Sequence, residues 1–230
     1  MNNHYTYFLI LVLSLAGPLM LSFDKKVAFY TKWKWLFPSM LLPAVFYVIW
    51  DMWFTKMGVW SFNSNFIIQQ FVYNLPIEEV LFFFIVPYCC VFIYECVIVY
   101  FPAIRSTKSS DRILQLMGII LFLAALIFYK RQYTFYTFLF NSIFILLLFR
   151  FRSRFKTFNT SVFLISYLII LVPFLIVNGF LTAIPVVEYN SNQNLGIHIY
   201  TIPMEDVFYG MLLFMMNIAA FKYKSSPIIP

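Results

Sequence analysis

Seven stretches of this 230-residue chain are long and apolar enough to cross a hydrocarbon core of about 30 Å, and that pattern narrows the possible folds sharply. Inside a bilayer, backbone polar groups are satisfied only within helices or closed barrels, and long apolar runs without strict alternation are helical. Six windows read almost directly: Tyr5 to Ser22, Trp35 to Phe54, Ile113 to Tyr129, Gln132 to Phe149, Thr160 to Thr182 and Ile202 to Phe221. A seventh, about Ile77 to Phe101, carries Glu78 and Glu79 at its start and Glu95 near its end, so hydropathy alone scores it weakly. With 63% hydrophobic and only 11% charged residues, a water-soluble domain could not cover itself with polar surface.

No basic residue precedes the first window and no small-residue cleavage site follows it, so it reads as helix one rather than a removable signal. Cys89, Cys90 and Cys96 all fall in the third span, where they serve as small apolar fillers rather than as a disulfide or metal set. Placing the N-terminus outside puts thirteen of the sixteen Lys and Arg residues on the cytoplasmic side and leaves only Lys56, Lys130 and Arg131 opposite. The net charge of +7 is therefore a topology signal, with membrane lipids as neighbours, and needs no nucleic-acid partner.

An offset of 127 residues lays Asp51 to Phe83 on Asn178 to Gly210 without a gap, with nine of 33 positions identical. Among them are Asn63-Ser64-Asn65 with Asn190-Ser191-Asn192, Tyr73 with Tyr200, Pro76 with Pro203 and Glu78 with Glu205. The expected fold is thus all-α: a polytopic membrane protein whose seven transmembrane helices form two parallel three-helix repeats, residues 1–112 and 131–230, joined by a linker helix over 113–130.

Both copies place a pair of acids two residues after a proline: Glu78 and Glu79 after Pro76, Glu205 and Asp206 after Pro203. Proline suits a first helical turn, and acids there meet the positive end of the helix dipole. That much asks only for helix starts in the outer headgroup region. Yet four of nine acids in the chain lie at equivalent positions of a duplicated unit, and acids at membrane depth are costly and usually functional. If the motifs converge, the four share a partly dry pocket in which one keeps its proton, as general-acid catalysis on a hydrocarbon requires. Neighbouring helical residues point about 100° apart, so only one of each pair can face straight into such a pocket.

Phe82, Phe83 and Tyr209 lie a turn beyond the acids, and Trp60, Phe62 and Tyr73 lie in the preceding loop. Their rings can stabilise a passing carbocation or simply pack in an interfacial belt. Asp51 and Asn178 close their helices on the same side, either bonding a motif acid or capping the helix. Glu95, His4 and His198 have no duplicated partner; Glu95 is expected to snorkel to the cytoplasmic interface. The six glycines form no phosphate-cradling loop and no Cys/His cluster offers a metal site, so neither cofactor nor metal is expected.

Pro-Ile-Glu-Glu at 76 to 79, Pro-Met-Glu-Asp-Val-Phe-Tyr-Gly at 203 to 210 and the duplicated architecture resemble the integral-membrane, flavin-independent lycopene cyclases, whose two three-span subunits are separate or fused chains. The resemblance implies a lycopene β-cyclase that takes its carotenoid from the bilayer, in company with other carotenoid-pathway enzymes, and forms γ-carotene and then β-carotene without net redox change. It implies catalytic roles for Glu78, Glu79, Glu205 and Asp206, with Phe82, Phe83, Tyr209, Trp60 and Asn74 contacting substrate and Pro76, Pro203, Asp51 and Asn178 in support. Asp206 stands where the first motif has Glu79, which leaves donor and acceptor unassigned between the halves. A retinal pigment would need a lysine within the last helix, and Ile202 to Phe221 has none. A proton or cation carrier using the four acids as relays is the competing reading.

Overall fold

A computed structural model describes residues 3–225. Within them run seven α-helices: α1 (Thr6–Leu21), α2 (Trp33–Lys56), α3 (Ile77–Tyr100), α4 (Lys108–Ile127), α5 (Gln132–Arg150), α6 (Thr160–Ala183) and α7 (Met204–Ser225). Each falls on one of the apolar windows. Six are long and apolar enough to cross a membrane; α1, at 16 residues, is the shorter one. The sequence had singled out the third window as weak, but its three acids sit near the ends and α3 has a mean hydropathy of 2.3. This is an integral membrane protein.

The helices are not equally buried. Two thirds of the apolar window of α7 is buried against other helices and just over half of α3, against little more than a quarter of α4. α3 and α7 therefore form the inner pair and touch each other, which draws together the two acid motifs at their N-terminal ends. α4 packs mainly on α5 and turns Ile113, Leu116, Ile120 and Leu123 outward. Gly118 permits that packing, since a Cβ there would stand 3.0 Å from the Ile145 side chain.

The α2–α3 and α6–α7 loops contain short strands that the apolar periodicity did not reveal: β1 (Trp60–Phe62), β2 (Phe71–Val72), β3 (Leu75–Pro76), β4 (Val187–Tyr189), β5 (His198–Ile199) and β6 (Ile202–Pro203). β2 pairs with β3 and β5 with β6 as hairpins, each with a tyrosine, Tyr73 or Tyr200, at positive φ in its turn. β1 pairs antiparallel with β4, Trp60 opposite Tyr189, and so ties the two loops together. Flanking it, Asn63 N–H donates to Val186 O (3.0 Å) and Asn190 N–H to Val59 O (2.9 Å), a reciprocal exchange between positions that the 127-residue offset equates. Pro76 and Pro203 lie in β3 and β6 rather than in the first helical turn, and the extended ψ of 146° at Pro76 swings the chain from hairpin into α3.

At the opposite end of the bundle, Glu95 does not snorkel. It is 2% exposed and is held by Lys32, before α2, and by Lys222, late in α7, whose Nζ lies 2.5 Å from Oε1. A carboxylate buried at this depth persists because two cations offset its desolvation.

Candidate active site

The four motif acids are all buried, between 0 and 8% exposed, but each pair divides. Glu78 turns back to the loop: its Oε1 accepts from Ile68 N–H at 2.7 Å. Glu205 does the same with Leu195 N–H (2.7 Å) and also accepts from the Thr134 hydroxyl (2.5 Å). These two glutamates pin the α2–α3 and α6–α7 loops onto the helix starts. Glu79 and Asp206, one position on and rotated by the helical step, point instead into a small shared chamber of about 40 Å³ between the two motifs.

The chamber is lined by acid and phenol. Tyr7, in the first turn of α1, donates to Glu79 Oε2 at 2.5 Å. Tyr133, in the first turn of α5, donates to Asp206 Oδ1 at 2.5 Å, and Tyr189 from β4 donates to Asp206 Oδ2 at 2.9 Å. Asp51, late in α2, is a third acid in the wall, accepting from the Tyr209 hydroxyl at 2.6 Å and lining the same chamber as Glu79. Asp51 thus bonds Tyr209 of α7, and Asn178 lines the same chamber. The phenol of Tyr189, in the α6–α7 loop, is pushed well above its ordinary 10.0 by burial and by Asp206, so it stays a donor.

Of the aromatic candidates, Trp60, Phe62, Phe82 and Tyr209 reach the chamber. Tyr209 is the hub: its ring centroid lies 4.8 Å from Tyr47, 5.0 Å from Trp50 and 6.0 Å from Trp60, and the Tyr47 hydroxyl donates to its backbone carbonyl. Phe83 and Asn74 do not reach it. Phe83 is rotated by one helical step from Phe82 and packs on Tyr47, while the Asn74 amide donates to Met52 O and pins its hairpin to α2. Tyr73 is 74% exposed, and His4 bonds Ser64 and Gln69 of the α2–α3 loop. Among the described residues no three His, Cys, Asp or Glu side chains converge as metal ligands would.

Sequence reasoning missed Tyr7, Tyr133 and Tyr189. The first two are equivalent: each backbone N–H at its helix start bonds a loop carbonyl, Tyr7 to Phe66 and Tyr133 to Gln193. They are 126 rather than 127 residues apart, and that single-residue shift took them out of the ungapped repeat.

Residues 4–97 and 130–224 match the family described as lycopene cyclase, one segment for each acid motif and its chamber tyrosine. The chain belongs to the lycopene cyclase family. Comparison with curated proteins and with solved structures finds no match. Membership makes the chain an enzyme of carotenoid cyclisation with a carotenoid substrate, and what this lycopene cyclase brings to that chemistry is one water-poor chamber. The segment between the matches, 98–129, holds α4, which contributes nothing to the chamber wall.

Proposed function

We propose that the chain is a lycopene β-cyclase that closes the acyclic ends of lycopene by acid–base chemistry alone. The observation that carries this is the meeting of Glu79, Asp51 and Asp206 in one buried chamber, where carboxyl groups crowded away from water favour keeping a proton among them. Glu79, backed by Asp51 and Tyr7, delivers its proton to C2 of the terminal double bond. The tertiary cation at C1 is attacked by the C5=C6 bond, which closes the ring. Asp206 then takes the C6 proton; both its oxygens already accept from phenols, the pattern that a carboxylate favours. One proton enters and one leaves, so the product is an isomer of the substrate. The ring faces of Tyr209 and Trp60 stabilise the cation between these steps. Both motifs serve a single chamber, so the two ends of a lycopene react one after the other, through γ-carotene to β-carotene.

The same reading places seven spans in the cell inner membrane, N-terminus outside, with α1–α3 and α5–α7 as parallel units over 1–112 and 131–230 and α4 as the linker. The junction of Lys32, Glu95 and Lys222 supports it, since it gathers the α1–α2 connection, the end of α3 and the end of α7 on one face. Although α1 is only about 24 Å long, it runs beside α3 from Tyr7 at Glu79 to Ser22 at Tyr88.

Expression in cells that accumulate lycopene tests the activity. The expected result is conversion to cyclic carotenes by the parent chain and loss of conversion in Glu79→Gln; lycopene left unchanged by well-inserted parent protein would remove the cyclase reading. The carrier reading predicts ion flux in proteoliposomes instead.

A further inference from the structure

The chamber is too small for its substrate. At about 40 Å³ it accommodates a water molecule or two, not the branched end of an isoprenoid, and nothing in it accounts for the long polyene that must follow. A second cavity of about 160 Å³ adjoins it, walled by α1, α3 and α6. The two share Phe82 and Phe174, one ring from each flank. The second cavity is lined almost wholly by apolar side chains, Ser14 being its one hydroxyl. Along α3 it continues from Phe82 through Val86 and Cys89 to Ile93, which lies about 21 Å along the helix axis from Glu79. Pro173 on its rim is exposed and Ser14, Pro18 and Val177 are half-buried, so the cleft opens on the flank of the bundle that faces lipid.

Resting on the cyclase reading, the geometry points to this cleft as the site that takes the polyene tail, with Phe82 and Phe174 as an aromatic gate that moves aside to let the isoprenoid end reach the acids. An extended hydrocarbon without polar groups fits a cleft of this lining, since it offers nothing for a polar group to recognise and loses apolar surface to it along its whole length. The Phe174 ring occupies a notch left by Gly210, where a Cβ would stand 2.7 Å from the ring tip. A side chain at 210 would force the ring out of that notch, so the glycine sets the resting position of the gate. The cleft also explains how substrate arrives without crossing water: it passes sideways from the bilayer, between α1 and α6, tip first.

The test uses the full chain in membrane vesicles supplied with lycopene. Ile93→Trp and Ile170→Trp fill the cleft well away from the acids, and Ile119→Trp fills the crevice between α4 and α5 as a control. Filling the cleft should raise KM for lycopene about tenfold with a smaller change in kcat, while the control keeps parental values. A second measurement needs no turnover and no variant: lycopene should slow alkylation of Cys89, which lines the cleft, by N-ethylmaleimide, and leave Cys96, outside it, unaffected. Parental KM in both cleft variants, or alkylation of Cys89 that is indifferent to lycopene, overturns the tail site while the cyclase reading stands. Failure of the parent protein to convert lycopene would instead remove the reading on which the proposal rests.

Discussion

The division within each acid pair predicts opposite outcomes for neighbouring glutamates. Glu79→Gln keeps an oxygen that can still accept from Tyr7, so the fold is retained, but it removes the proton that the reaction needs. General-acid catalysis contributes about 10²–10⁴-fold, or about 3–5 kcal/mol of barrier, and that is the expected loss in rate. Glu78→Gln leaves an oxygen to accept from Ile68 N–H and touches nothing in the chamber. It exchanges one charged hydrogen bond for a neutral one, costing about 1 kcal/mol of stability and less than about threefold in rate. Glu205→Gln weakens two such bonds, to Thr134 and Leu195, and costs about 2 kcal/mol. The assay is initial rate of cyclic carotene formation in vesicles, normalised to inserted protein, with thermal inactivation measured in parallel. If Glu78→Gln abolishes cyclisation as completely as Glu79→Gln at equal protein and equal thermal stability, the assignment of roles from side-chain direction is wrong.

Other perturbations separate stability from chemistry. Glu95→Gln removes the buried carboxylate that Lys32 and Lys222 share and should cost about 3 kcal/mol, seen as a lower inactivation temperature with the product distribution unchanged. Gly118→Val drives a side chain into Ile145 and should destabilise the α4–α5 contact by about 1–3 kcal/mol, measured the same way. Burial raises the Tyr189 phenol above its unfolded value, so its proton favours the folded state fully below pH 10 and that contribution is lost as pH climbs beyond. Between about pH 10 and pH 12 the parent protein should lose thermal stability more steeply than Tyr189→Phe; parallel profiles would remove that role for the phenol.

Much of this architecture was legible because membrane helices declare themselves locally. Runs of some twenty mostly apolar residues with few charges can do little else in a bilayer, and all seven predicted windows became helices. The 127-residue offset then picked out Glu78, Glu79, Glu205 and Asp206 without any knowledge of contacts. The members of each pair could not be told apart in the same way. Both are acidic, both lie in the first turn, and the identical pair, Glu78 and Glu205, proved to be the one that fastens loops, whereas the divergent pair, Glu79 and Asp206, faces the chamber. Tyr189 was out of reach because its donor role depends on pairing β4 with β1, strands too short to leave a periodic signal.

By itself, then, the order of residues determined the number and placement of the helices, the duplication and the four acids, because each of these depends on local hydropathy or on comparison of the chain with itself. Only the tertiary structure decided that Asp51 and Glu79 meet in one chamber, that Tyr7 and Tyr133 supply their hydroxyls from helices distant in sequence, and that Glu95 is neutralised by lysines from two other segments. Those contacts follow from how α3 and α7 sit at the centre of the bundle and which faces they turn to one another, a packing choice made by the whole set of helices together and encoded in no single window.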